Sequence, residues 1–150
     1  MATADFSAFL AQNKIKKENV KFVASQAFTE DRKPVKDGGK PLEWEIRALT
    51  SKEDDALRKQ STKQVKVVGK SGVYRSEMDA ATYIGKLAAA CTVFPDLNNK
   101  ELQDSYGVMG ADELLKAMLS PGEYAEYCNK VSEVNDFDVD NAELVKEAKN

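Results

Sequence analysis

The side chains able to carry chemistry are few and scattered. The chain has no histidine and two cysteines, Cys91 and Cys128. Without histidine, neither a Ser-His-Asp nor a Cys-His nucleophile pair can form. A zinc site normally takes four Cys, His or carboxylate ligands, and neither cysteine has a second at C-x-x-C spacing. The two thiols read as buried and free in a reducing compartment, with a disulfide between them as the alternative. Gly69-Lys70-Ser71 matches the end of a phosphate-binding loop, but that loop needs a glycine five residues before Gly69, where Gln64 stands. A tight hairpin turn is the expectation instead. Glu53-Asp54-Asp55 is an acidic run, yet adjacent helical positions point in different directions, so it reads as a first turn matched to the helix dipole. Asp136-Phe137-Asp138-Val139-Asp140 has the opening spacing of a calcium loop, and Glu147 matches its last position. Asn141 stands where that loop requires glycine, and no flanking helix pair is evident. No catalytic residue, cofactor site or metal site is predicted.

Binding chemistry is better represented. Lys59, Lys63, Lys66 and Lys70 form a basic strip around a predicted hairpin. Nucleic-acid binding would want aromatic stacking residues beside such a strip, and only Tyr74 is near. A solvated strand face or a dock for an acidic protein fits as well. Trp44, the single tryptophan, lies on the apolar side of its strand and is expected in the core, with an interface anchor as the alternative. Phe6, Phe9 and Leu10 share i, i+3, i+4 spacing near a chain end. They are the candidate partner-binding residues, and the rival is that they cap the domain's own core.

These groups are carried by the following predicted elements. A short amphipathic helix holds Phe6, Phe9 and Leu10 and ends at the basic connector Lys14-Ile15-Lys16-Lys17. Period-2 alternation over residues 20–28 and 42–49 predicts two antiparallel strands. The Asp31–Pro41 stretch between them, with two prolines and two glycines, is a long hairpin loop. Ser51 is read as the N-cap of a helix ending near Gln60. Val65, Val67 and Val68 before Gly69, and Val73 and Tyr74 after Gly72, predict a second hairpin. A helix opens at Ser76, carries the apolar stripe Ala80, Ile84, Leu87, Cys91, and runs to Phe94-Pro95. Gly85 in its interior suggests the close approach of another element. Asn98 and Glu101 are read as a capping box, with Gly107 as the C-cap. Gly110 to Leu119 forms another helix. Ser120-Pro121-Gly122-Glu123 places Ser at N-cap, Pro at N1 and Glu at N3, opening a helix that buries Tyr124, Tyr127, Cys128 and Val131.

The expected fold is α+β: a small antiparallel sheet of two hairpins packed against a C-terminal group of short helices, with an N-terminal amphipathic helix. Residues 1–17 form the N-terminal helix and connector, 18–135 a single domain, and 136–150 an acidic tail expected to be mobile. A length of 150 residues with 42% hydrophobic and 31% charged residues suits one globular domain. Residues 1–75 carry 16 Lys/Arg against 10 Asp/Glu, and residues 76–150 carry 6 against 15. A basic half and an acidic half suggest internal complementarity or two surfaces of opposite sign. No apolar run approaches the roughly 18–20 residues needed to span a bilayer. Asp5 stands where a signal peptide would be basic. A cytoplasmic protein is expected.

Three ordered blocks carry a family resemblance. Leu42-Glu43-Trp44-Glu45-Ile46-Arg47-Ala48-Leu49 leads into Ser51 to Arg58. Ala89-Ala90-Cys91-Thr92-Val93-Phe94-Pro95-Asp96-Leu97 leads into Glu101 to Val108. Leu114 to Tyr127 contains Leu119-Ser120-Pro121-Gly122-Glu123-Tyr124. Together they span roughly residues 18 to 135 and resemble the XkdN-like tail assembly chaperones of long-tailed phages and prophages. The resemblance implies a non-enzymatic role in tail morphogenesis in the bacterial host and absence from the mature virion. Its implied partners are the tape-measure protein and tail-tube subunits, with self-association also open and no membrane partner. No catalytic residues come with it. The alternative function is a small nucleic-acid-binding regulator using the basic N-terminal half.

Overall fold

The structure is a computed structural model, and residues 6–137 are described. Three of the strands make one antiparallel sheet in the order β1-β2-β5: β1 is Val20–Phe22, β2 Trp44–Ile46 and β5 Thr92–Phe94. β2 is central. It pairs with β1 through Val20↔Ile46 and Phe22↔Trp44, and with β5 through Glu45↔Phe94 and Ile46↔Thr92. The first predicted pair is therefore present, in shorter strands than the alternation suggested. Beyond Phe22 the chain leaves the ladder and touches the returning segment only at the Thr29↔Pro41 bridge. The loop between carries one 3-10 turn, Val35–Asp37.

The third strand corrects the expectation that the central helix runs to Phe94. α2 spans Ala80–Cys91, and Thr92–Phe94 is strand. Thr92 and Val93 are β-branched and favour extended backbone, and the Arg47 N–H donates to the Cys91 carbonyl at 2.8 Å. The predicted second hairpin forms, but as a separate ribbon of β3 (Thr62–Lys66) and β4 (Tyr74–Met78).

Several helix starts also differ by one or a few residues from the sequence reading. α1 is Ser51–Gln60, and its N-cap is Thr50, not Ser51. The Thr50 hydroxyl accepts from the Glu53 N–H while the Glu53 carboxylate accepts from the Thr50 N–H, a full capping box. Ser76 lies in β4, and Asp79 caps α2 by accepting from the Thr82 N–H at 3.2 Å. α3 is Lys100–Ser105, capped by Asn99 and not Asn98. Asn99 offers its carbonyl to the Leu102 N–H at 2.9 Å. Gly107, at φ +66°, supplies the left-handed residue that ends α3. α4 is Ala111–Met118 and α5 Pro121–Val134. The Ser120 capping box with Pro at N1 is as predicted.

α2 is the hub, packing on α1, α4, α5 and β5. Tyr83, Ile84, Leu87, Ala88 and Cys91 on it are buried, with Leu114 and Leu115 of α4 and Tyr127, Cys128 and Val131 of α5. Trp44 is 1% exposed and meets the Tyr127 ring edge-on at 5.3 Å. Fully burying a large apolar side chain contributes roughly 1.5–3 kcal/mol, so Trp44, together with the fully buried Ile46, holds the sheet to the helices. At Gly85 a Cβ would stand 3.2 Å from the Tyr124 hydroxyl, so the missing side chain is what lets α5 come close. Both cysteines are buried, and neither is in a disulfide.

Candidate partner-binding surfaces

The N-terminal stripe folds as two 3-10 turns, Phe6–Phe9 and Ala11–Asn13, not as a continuous α-helix. In a 3-10 turn positions i and i+3 eclipse. Phe6 and Phe9 therefore share a side, while Leu10, at i+4, begins the second turn and is half-buried. With few apolar contacts to the body, nothing stabilises a longer helix here. Asn13 closes the segment locally, its side-chain amide donating to the Ser7 carbonyl at 2.8 Å. Phe6 and Phe9 are 78% and 80% exposed. They do not cap the domain's core.

The lysine connector positions this segment. The Lys17 ammonium donates to the Val134 carbonyl and pairs with Asp136 at 3.0 Å. A cation at the last carbonyls of a helix meets both unpaired acceptors and the negative end of the dipole. The end of α5 is in turn fixed by Asn135. Its side-chain oxygen accepts from the Leu49 N–H at 2.8 Å, and its amide donates to the Val131 carbonyl and to Cys91 Sγ. Asn135 thus ties α5, α2 and the β2–α1 connector into one footing for the N-terminal segment. Ile15, two residues before Lys17, is 93% exposed. Sequence reasoning passed over it as part of a basic connector.

The acidic run 53–55 resolves into separate structural roles. Arg47 forks onto Glu53 at 2.9 and 3.3 Å. Those bonds and the Thr50 N–H hold the Glu53 carboxyl down to about 2. Asp54 pairs with Arg58 at 2.8 Å and accepts from the Tyr83 hydroxyl, while the Arg58 guanidinium lies 4.5 Å over the Tyr83 ring. Burial, then Asp54, pushes the Tyr83 hydroxyl well above its ordinary range. Burial pushes the Cys91 thiol up to about 11. These clamps lock α1 to α2. Gly69-Lys70-Ser71 sits in the ribbon's turn, with Gly69 and Gly72 both at positive φ. The predicted calcium spacing and the 136–150 tail lie mostly outside the described residues.

The ribbon is the second exposed feature. Among its residues Val65, Val67 and Met78 are half-buried, and Val68 and Tyr74 are 98% and 59% exposed. Lys63 pairs with Asp79 at 3.9 Å and Arg75 with Glu77 at 3.3 Å. No helix among the described residues is long and apolar enough to cross a membrane.

Comparison with known proteins returns consistent relatives. The profile of the phage XkdN-like tail assembly chaperone protein family matches residues 6–149. The phage-like element PBSX protein XkdN of Bacillus subtilis (strain 168) is 30% identical over 147 residues, covering 97% of this chain and 94% of that protein. The uncharacterized protein YqbN of the same strain is 32% identical over 147 residues, covering 97% and 93%. A crystal structure of YqbN superposes with a TM-score of 0.72 at 28% identity, covering 91% of this chain and all of that one.

Proposed function

The chain belongs to the phage XkdN-like tail assembly chaperone family, and we propose that it holds the tail tape-measure protein in the host cytoplasm and helps recruit tail-tube subunits, without catalysing a reaction. The observation that carries this is the pair Phe6 and Phe9, 78% and 80% exposed on a segment tethered through Lys17. A tape-measure protein is long and helix-rich, and displays apolar stripes until the tube encloses it. A short segment presenting two aromatic rings suits such a stripe in the manner of side-chain anchors entering a groove. Release must follow, so a small interface of this kind is appropriate.

Changing Phe6 and Phe9 to Ser tests the proposal. Exposed substitutions change stability by no more than about 0.5 kcal/mol, so the urea midpoint stays at the parent value. Co-purification of the tape-measure protein encoded beside this chain is lost. A variant that retains the tape-measure protein at parent level, or unfolds at clearly lower urea, overturns the assignment of this surface.

A further inference from the structure

The connection from β1 to β2, residues 23–43, has one 3-10 turn and one isolated bridge as its regular structure. Connections beyond roughly 12–15 residues without regular structure are uncommon in compact domains, and ordered ones usually carry function. This one is held by its own hydrogen bonds. The Leu42 N–H donates to the Phe28 carbonyl at 2.8 Å, the Glu30 N–H to the Lys40 carbonyl at 3.0 Å, and the Gly39 N–H to the Pro34 carbonyl at 3.0 Å. The Thr29 hydroxyl donates to the Lys33 carbonyl at 2.9 Å, and the Asp31 carboxylate accepts from the Lys33 N–H at 3.2 Å. A Cβ at Gly39 would stand 1.8 Å from the Lys33 carbonyl oxygen, so only glycine lets the loop close this tightly.

The closed loop frames a depression of about 660 Å³, lined entirely by residues between 26 and 42. Its floor is apolar. Phe28, Val35 and Leu42 there are half-buried, and the Phe28 ring lies 6.3 Å from Trp44, so the floor is continuous with the core. Its rim is cationic. Arg32, Lys33 and Lys36 are exposed and form no ion pair among the described residues. No carboxylate is in the lining: Glu30, Asp31 and Asp37 of the same loop lie outside it. Arg32 stands at φ +62°, a backbone that glycine meets freely and a longer side chain meets at a cost. The loop thus carries strain to place a guanidinium at this rim.

We propose that this depression docks an acidic peptide segment of a partner protein, with one large apolar side chain on the floor and flanking carboxylates on Arg32, Lys33 and Lys36. An apolar anchor in a pocket supplies the affinity, and the charged rim selects the partner. A guanidinium fork suits a carboxylate in particular. A nucleic-acid strand fits less well, because it wants exposed stacking rings, and the one aromatic side chain in the lining, Phe28, is packed beside Trp44. The site is separate from the Phe6 and Phe9 stripe and does not rest on the tape-measure assignment.

Fluorescence anisotropy on the full chain tests it, with a fluorescein-labelled peptide that sets a leucine-phenylalanine pair between runs of glutamate. The parent binds this peptide, and the affinity falls as salt rises. It does not bind a peptide with lysine in place of the glutamates, or one with serine in place of the apolar pair. Lys33→Glu/Lys36→Glu weakens binding by about tenfold or more. Arg32→Gly also weakens it, while its urea midpoint stays at or above the parent's, because relieved strain offsets the chain entropy of glycine. Phe6→Ser/Phe9→Ser binds the peptide like the parent, which separates a failure here from a failure of the N-terminal assignment. A parent that ignores the acidic peptide overturns the proposal. So do rim variants that bind like the parent, equal binding of the lysine peptide, or displacement by generic single-stranded DNA at lower concentration than by the unlabelled acidic peptide. Oligomers of the parent that Lys33→Glu/Lys36→Glu dissolves would give the depression to a second copy, which likewise overturns it.

Discussion

Glu53 works for two elements at once: it completes the cap of α1 and anchors Arg47 at the end of the central strand. Folding lowers its carboxyl to about 2, from an ordinary value of about 4.3. A depressed acid contributes stability that is complete above the unfolded value and disappears as pH falls through the folded one. The stability difference between the parent and Glu53→Gln, read by urea denaturation, is therefore expected to be constant above about pH 5 and to shrink between about pH 4.3 and 2. The side chain is 42% exposed, so solvent screening keeps that difference modest. An unchanged difference down to pH 2 would show that the Arg47 fork is not populated. The thiols make a second test at this scale. Cys91 is buried with its pKa pushed up to about 11, and Cys128 is buried in the same core. A thiol-reactive dye is expected to leave the native protein unlabelled at pH 8 and to label both cysteines in denaturant. Labelling of the native protein would mean the core opens readily.

At the scale of elements, the helix starts are the places where sequence and structure part by one to three residues, and the difference is measurable. Thr50→Ala removes the hydroxyl that accepts the Glu53 N–H and is expected to cost about 1 kcal/mol, whereas Ser51→Ala stays within about 0.5 kcal/mol. Asp79→Ala against Ser76→Ala should show the same order at α2. Denaturation midpoints with the order reversed would place the caps where the sequence first put them. Those caps were mislocated because Thr50 and Ser51, or Asn98 and Asn99, are equally good capping types. The choice depends on which backbone turns first, and that follows from where the preceding segment leaves the sheet. The Ser120 cap was legible because Pro121 can sit only in a first turn or outside the helix. Gly85 was legible as a close approach, though the partner, the Tyr124 hydroxyl, was not.

Across the whole molecule, stability is unevenly distributed. Trp44, Tyr83, Leu87 and Tyr127 are nearly or wholly inaccessible. The ribbon makes most of its contacts within itself and the N-terminal turns bury no residue. Amide exchange should therefore be graded. The amides of Leu87 and Ala88 in α2 are expected to exchange only through global opening. Val65 and Val67 should exchange faster through opening of the ribbon alone, and outward-facing Gln64 and Lys66 fastest. Equal protection of Gln64 and Val65 would show that the ribbon's edge is covered. The exposed ribbon and N-terminal turns sit on a body clamped at Asp54, Arg58 and Asn135.

Much of this architecture was readable from local pattern. Capping residues and apolar spacing located the four main helices, alternation located the first strand pair, and paired glycines located the ribbon turn, because these signals arise within a few residues of each other. The absence of histidine and the broken phosphate-loop spacing bounded the chemistry in the same way. Three features escaped it. Thr92–Phe94 joins the sheet because Glu45 and Ile46, far away in the chain, offer an open edge. The ribbon stands apart from the main sheet, since β2 already has partners on both sides. Phe6 and Phe9 remain exposed because the core is filled by Trp44, Tyr127 and their neighbours without them. Each outcome is settled by competition among distant segments for the same edge or the same volume, and spacing along the chain carries no record of that competition.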